Sequence, residues 1–393
     1  MATQPRGLTK PKLPSAVVAL GVVSLLNDSA SEMIYPLLPA FLATLGAGPG
    51  ALGFIEGVAD ATAGLLKVVS GYAADRVGRL KEITLAGYVL ANVLRPLTAV
   101  ANAWGQIFLI RFGDRAGKGI RTSARDALLA ATAPARMRGR AFGFHRAMDH
   151  AGAFLGPSVA LILLSCGLPM RQVFAWTLIP GALTIATLVL FVPDVPGRVG
   201  AQVELALPPQ ADYRRLLLAV VVFTLGNSSD AFLLWRAREL GLKAVWAPVL
   251  WIVLHVVKSA TSTWGGTLSD RVGRRLPILG GWAIYALVYM GFALASAQWH
   301  VWVLIALYGV YFGLTEGVEK AFVVDLVPEE WRGRALGAYH AAVGLAALPA
   351  SALFGLLYQG AGPAWAFGLG AALAAGAAAL VPPDPAAPRP LFY

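Results

Sequence analysis

Charged residues are scarce in this chain. Asp, Glu, Lys and Arg make up 13% of its 393 residues, whereas a soluble protein carries about 25%. With 57% hydrophobic residues and a mean hydropathy of +0.65, this scarcity excludes a water-soluble domain and requires an integral membrane protein. Cysteine is almost missing: Cys166 stands alone, which excludes an intrachain disulfide and any multi-cysteine metal site. There is no phosphate-cradling glycine loop closing on Lys-Ser/Thr, no nucleophile elbow and no zinc motif. An ATP-driven pump or a membrane enzyme therefore has no sequence basis, and neither cofactor nor metal is expected. The first apolar run is too long and too interrupted by charge to be a cleaved signal peptide.

What is abundant is glycine (43) and proline (25). Inside apolar segments these residues indicate closely packed, locally broken membrane helices. A crossing needs about 20 residues. Twelve spans are predicted, at 15–43, 50–74, 82–103, 104–131, 139–163, 170–192, 214–241, 244–268, 276–297, 299–326, 334–359 and 362–382. The polar stretch Pro193 to Asp212 divides them six and six. The expected fold is an all-α integral membrane protein of two six-helix bundles, residues 1–192 and 214–393, joined by a cytoplasmic linker at 193–213. The net charge of +11 raises the question of nucleic-acid binding, and its placement answers it. Counted from an inside N-terminus, the inside segments hold eighteen basic residues and the outside loops only Arg171 and Lys243. The positive-inside rule then places both termini in the cytoplasm of an inner-membrane protein. Its expected partners are lipid, a small-molecule substrate and protons, with no nucleic acid, and its expected state is monomeric.

The halves repeat. Gly71-Tyr-Ala-Ala-Asp75-Arg76-Val77-Gly78-Arg79 returns 195 residues later as Gly266-Thr-Leu-Ser-Asp270-Arg271-Val272-Gly273-Arg274, and Arg138-Gly-Arg-Ala-Phe-Gly143 returns 194 residues later as Arg332-Gly-Arg-Ala-Leu-Gly337. Parallel six-span repeats imply a site at the membrane midplane between them. The Gly-x-x-x-Asp-Arg-x-Gly-Arg loop, present in both halves, resembles the signature of the major facilitator superfamily, and the topology match covers essentially the whole chain. Arg115-Ala-Gly-Lys-Gly119 and Gly152-Ala-Phe-Leu-Gly156-Pro157 are similar to motifs of its drug:proton antiporter branch, although Ala160-Leu161 stand where that branch closes with Gly-Gly. The resemblance implies a gate at the two cytoplasmic loops, formed by Asp75, Arg76, Arg79, Asp270, Arg271 and Arg274, with Asp126 added from span 4.

The charges inside the spans carry the chemistry. On a helix advancing about 100° per residue, Arg111, Asp114, Arg115, Lys118, Arg121, Arg125 and Asp126 share one face. Lipid cannot solvate such a face, so it must turn toward protein, water or cargo. Seven acids (Asp28, Glu32, Glu56, Asp60, Asp114, Asp126, Asp149) nearly balance eight bases (Lys67, Arg95, Arg111, Arg115, Lys118, Arg121, Arg125, Arg146) at membrane depth in the first half. Most are expected to pair across spans 1, 2, 4 and 5, because an unpaired buried charge is costly. Asp28 and Glu32, four residues apart, are the expected proton carriers, with His145 and Asp149 of span 5 as further proton-coupling groups. Asn27, Arg111, Asp114, Arg115, Lys118, Arg121, Asp230, Glu316, Glu319 and Lys320 are expected around the substrate cavity. The aromatics Trp235, Tyr308, Tyr311 and Phe312 are candidates either for cargo stacking or for packing. The glycines at 53, 57, 64 and 71 read as a helix-packing stripe. Lys258 stands alone in an apolar run and is expected to snorkel. Aligning the halves on Pro134 and Pro328 sets Arg125-Asp126 against Glu319-Lys320, which would let spans 4 and 10 face each other with opposite charges.

The expected function is proton-coupled antiport, exporting a small molecule by alternating access. Two alternatives stand beside it: uptake or facilitated diffusion of an organic anion, drawn by the span 4 bases, and a non-transporting membrane receptor or sensor on the same scaffold.

Overall fold

The computed structural model describes residues 13–134, 137–195 and 207–384. Arg6, Lys10, Lys12, Arg136, Arg198 and Arg389, counted above among the inside charges, fall outside the described residues, as does the side chain of Asp75. The described residues form helices and no strand. Twelve long elements follow one another. In the first half they are α1 (Ser15–Thr44), α2 (Pro49–Val77), α3 (Leu80–Val100), α4 (Trp104–Thr132), α5 (Arg138–Ser165) and α6 (Met170–Phe191). In the second they are α7 (Ala211–Glu239), α8 (Ala244–Val272), α9 (Arg275–Leu294), α10 (Gln298–Asp325), α11 (Arg332–Ala361) and α12 (Pro363–Ala378). Among the described residues nine of these are long and apolar enough to cross a membrane by composition. Of the other three, α12 is short and α2 and α4 carry the charges of the first half.

Helix limits follow local chemistry. In both repeat loops the glycine after the helix, Gly78 (φ 68°) or Gly273 (φ 88°), takes a backbone angle that a side chain disfavours, so each copy of the motif needs its glycine to turn the chain. α7 starts at Ala211, three residues ahead of the expected span, with Asp212 in its first turn where the helix dipole favours an acid. It is broken in the middle: helix runs to Gly226, residues 227–230 leave it, and helix resumes at Ala231. Pro36 and Pro39 interrupt α1 with a 3-10 turn at Tyr35–Leu37.

Within the first half α1 packs on α5 and α6, and α4 on α2 and α3; within the second α8 packs on α10, and α9 on α10 and α12. The halves meet along α2 with α11, along α5 with α8, and where the last turns of α1 pack on the second segment of α7. On α2 the glycine stripe carries that contact. A Cβ on Gly57 would lie 2.9 Å from the Leu348 carbonyl oxygen, and one on Gly64 2.8 Å from Gly344 Cα. The seam is backbone against backbone.

Candidate functional site

Two glycine ladders set the depth of the buried acids. Gly152 and Gly156 of α5 lie against α1 so closely that a Cβ on the first would come 2.9 Å from Asp28 Cβ, and on the second 3.0 Å from Glu32 Cβ. Gly117 and Gly119 of α4 are pressed in the same way onto α3 and α2. These contacts draw the charged face of α4 inward, where the acids of α2 and the polar groups of α1 and α3 meet it.

The innermost charges satisfy one another. Arg111 grips Glu56 with two parallel bonds of 2.8 Å, the fork geometry that suits guanidinium and carboxylate. Asp114 lies 3.5 Å from Arg111 and accepts a 2.8 Å bond from Arg95 Nε. Arg95 Nη1 also donates to the Asn27 carbonyl (3.0 Å), to Asn27 Oδ1 (2.9 Å) and to Asn92 Oδ1 (3.1 Å). Every charge in the network is buried, and Glu56 is fully so, at 0% exposure. Removing any one member would strand its partners in low dielectric. Arg121 lies over the Tyr88 ring at 4.7 Å and leaves its Nη1 without a hydrogen bond. None of Arg111, Asp114, Asn27 or Arg121 lines the cavity.

That cavity, of about 320 Å³, opens between the halves. From the first half it is lined by Glu32, Tyr35, Asp60, Arg115 and Lys118. From the second come the broken segment of α7 with Asp230, Trp251 of α8, and Val343, Ala347 and Ser351 of α11. Among the residues expected there, the structure brings together Arg115, Lys118 and Asp230, and adds Glu32. Arg115 pairs loosely with Asp60 at 3.7 Å. Asp230 accepts a 2.6 Å bond from Tyr308. Lys118 is exposed and lines the cavity, and its ammonium makes no hydrogen bond and no ion pair within 4.0 Å among the described residues. Glu32 accepts a 2.6 Å bond from Trp251 Nε1, across the joint between the halves. Tyr35 reinforces that joint, bonding Ser229 at 3.2 Å and packing at a tilt against Trp251 with ring centroids 4.9 Å apart.

Other expectations are met differently. Ion pairs from Asp28 and Glu32 to α4 do not form among the described residues: Asp28 accepts from Asn27 Nδ2 (2.9 Å) and Glu32 from Trp251. Arg111 and Arg115 of α4 instead find Glu56 and Asp60 of α2, and Arg111 also Asp114. Lys258 is not alone, being paired with Glu316 at 2.8 Å and lying over the Phe312 ring. Lys320 is 3.7 Å from the same Glu316. Glu319 turns into its own half, where Trp282 Nε1 (2.9 Å) and Tyr339 OH (2.8 Å) donate to it. Charge complementarity between α4 and α10 is therefore not what orients these residues. Asp126 pairs with its neighbour Arg125 at 2.8 Å. Asp149 is held by Ser24, His145 (3.5 Å) and Arg146 (3.4 Å), remote from the cavity lining. Of the aromatics, Tyr308 holds Asp230, Tyr311 packs in a tyrosine cluster with Tyr285, and Trp235 donates to Glu239 at 2.8 Å.

The repeat loops differ. In the second half Arg274 bonds Asp270 (2.5 Å), Asp325 (2.9 Å) and Ser269 (2.8 Å), while Asp384 accepts the backbone amides of Arg274 and Arg275. Partial burial works against the charge of Arg274, but Asp325 and Asp270 outweigh it and raise its pKa above the ordinary arginine value. In the first half Arg79 makes an exposed pair with Glu82 at 3.2 Å, and Arg76, like Arg271, is exposed.

Tyr35 and Trp251 are among the site residues that sequence reasoning missed, with Thr224 and Ser351. An aromatic in an apolar run has no periodic mark separating a packing role from a polar one. Glu56 and Asp60 were visible as interruptions of α2, but nothing in the spacing distinguished the buried anchor from the cavity wall.

Twelve membrane helices, repeated six and six about a shared polar cavity, define a multi-pass membrane protein of transporter type. The chain belongs to the major facilitator superfamily: the model of the Major Facilitator Superfamily matches residues 20–348 and 264–392. It is 33% identical over 359 residues to an uncharacterised MFS-type transporter of Methanocaldococcus jannaschii, covering 88% of this chain and 89% of that one. A shorter likeness, 28% over 170 residues, covers 42% of this chain and 40% of the multidrug resistance protein MdtG of Enterobacter lignolyticus. A POT family transporter solved in complex with 5-aminolevulinic acid superposes with a TM-score of 0.79 at 12% identity, covering 95% of this chain and 96% of that one, which is a likeness of fold.

Proposed function

We propose that this transporter exchanges protons for a small molecule exported from the cytoplasm, alternating access by rocking its two halves about the central cavity, with both termini cytoplasmic. The observation that carries this reading is Glu32. It is a carboxylate on the cavity wall, one helical turn from Asp28, whose hydrogen bond to Trp251 ties one half to the other. A proton gained or lost there alters a bond that spans the moving joint, and that is the coupling an antiporter needs. The acids are mounted on α1 by the Gly152 and Gly156 contacts of α5, so their depth is fixed while their protonation varies. Toward the termini, Asp126, Glu316 and Lys320 keep 40%, 42% and 36% of their side chains exposed, which supports a water path to the cavity from that end. The partial likeness to a multidrug resistance protein favours export.

The test is a pH jump across proteoliposomes containing the purified full chain, with internal pH reported by a trapped dye. Substrate addition should release protons in the wild type. Glu32→Gln and Asp28→Asn should reduce gradient-driven exchange about tenfold or more while leaving substrate counterflow at equal pH in place. Gradient-driven exchange unchanged in both variants would show that these acids are not the carriers.

A further inference from the structure

The cavity lining specifies more than a small molecule. Of its fourteen residues only Val343 and Ala347 lack a hydrogen-bonding side chain. A lipophilic drug seated there would desolvate hydroxyls, carboxylates and cations without replacing their bonds, at a cost of several kcal/mol. The volume of about 320 Å³ lies at the small end of ligand pockets, which suits a metabolite.

The first half brings both cations, Arg115 and Lys118, with Glu32 and Asp60, the second half brings only an acid, Asp230, and the charges are incompletely satisfied. The Lys118 ammonium makes no hydrogen bond or close ion pair among the described residues, and beside it Arg115 keeps its buried Nε without a hydrogen bond. Across the cavity Asp230 spends Oδ1 on Tyr308, while Oδ2 accepts no hydrogen bond among the described residues. A simple anion would satisfy Lys118 but lie against Glu32, Asp60 and Asp230. A simple cation would satisfy Asp230 but meet Arg115 and Lys118. Either leaves one pole uncompensated, and like-charge juxtaposition is a strong ground for rejection. We infer that the substrate is a metabolite-sized zwitterion, its anionic group held by Lys118 and Arg115 and its cationic group by Asp230. Because the two poles belong to different halves, such a ligand bridges the joint that must move. This assignment rests on the transport reading only for the steps after binding.

The probe is a matched series: ω-amino acids from β-alanine to 6-aminohexanoate, with the carboxylic acid and the amine of each length, titrated calorimetrically into the purified full chain. At one length or more the zwitterion should bind about tenfold tighter than either single-charge analogue, the scale of one charge-assisted hydrogen bond. Lys118→Ala should abolish its advantage over the amine, and Asp230→Asn its advantage over the acid; Lys118→Gln and Asp230→Ser repeat the test if either variant fails to fold. An acid or an amine that binds as tightly as its zwitterion overturns the proposal, and so does silence from every zwitterion. Counterflow of the best binder in proteoliposomes separates the two levels. Binding without counterflow refutes transport and leaves the zwitterion site standing, whereas counterflow of an acid with no preference for its zwitterion refutes the site and leaves transport standing.

Discussion

The two halves share a fold and a repeat, yet they bury their polar groups by opposite means. The first half answers charge with charge: Glu56, Arg111, Asp114 and Arg95 form a continuous ionic chain that ends on the backbone of α1. At Asp230 and Glu319 the second half answers charge with neutral donors, its ion pairs, such as Lys258 with the more exposed Glu316, lying elsewhere. Tyr308 bonds Asp230, while Trp282 and Tyr339 bond Glu319, within a layer of stacked aromatics that includes Phe223, Tyr285 and Tyr289. An acid clasped by arginine cannot take a proton without stranding a cation. An acid clasped by a phenol or an indole can. The ionic half is thus a fixed frame. Glu32 is informative because it lies on the frame's side but is bonded by a Trp of the other half.

The largest effect should come from breaking the frame. Arg111→Ala leaves Glu56 buried and unpaired and should cost about 3–5 kcal/mol, read as a large loss of thermal stability in detergent, with Arg111→Lys recovering only part because it cannot make the paired bonds. The aromatic half should yield less. Tyr339→Phe and Trp282→Phe each remove one neutral donor from Glu319 and should cost about 1–3 kcal/mol, measured the same way; a loss equal to that of Arg111→Ala would erase the distinction between the halves. Smallest are the repeat loops, where Arg274→Ala should cost about 1 kcal/mol and Arg79→Ala about half of that or less, both weakened by salt. Equal effects would show that the extra carboxylate of Asp325 adds nothing to the second loop.

Much of the fold was legible because hydropathy and topology report one physical fact, the transfer of backbone into lipid. All twelve spans fall within a few residues of the observed helices, and the break at 227–230 coincides with the polar run Asn227 to Asp230. The cavity was legible only in part. Arg115 and Lys118 stand out because charge at membrane depth needs a reason, but the same criterion marks Arg111 and Asp114, which are buried in the frame. Separating the two sets requires knowing where α2 lies, since Glu56 takes Arg111 while Asp60 reaches Arg115 only loosely. Pair partners across helices depend on rotation about each helix axis, and a single sequence does not encode that rotation locally. Hence Lys258 looks solitary in the chain and is paired in the fold.

The seam between α2 and α11 has one further consequence. Where Gly57 meets the Leu348 carbonyl and Gly64 meets Gly344, the closest approach is of backbone to backbone. Two such surfaces can roll over one another as a bearing does, losing dispersion contact gradually instead of breaking bonds in steps. The same smoothness makes the seam intolerant of change. A methyl group added at Gly64, 2.8 Å from Gly344 Cα, would act as grit, holding the two helices apart without touching any charge.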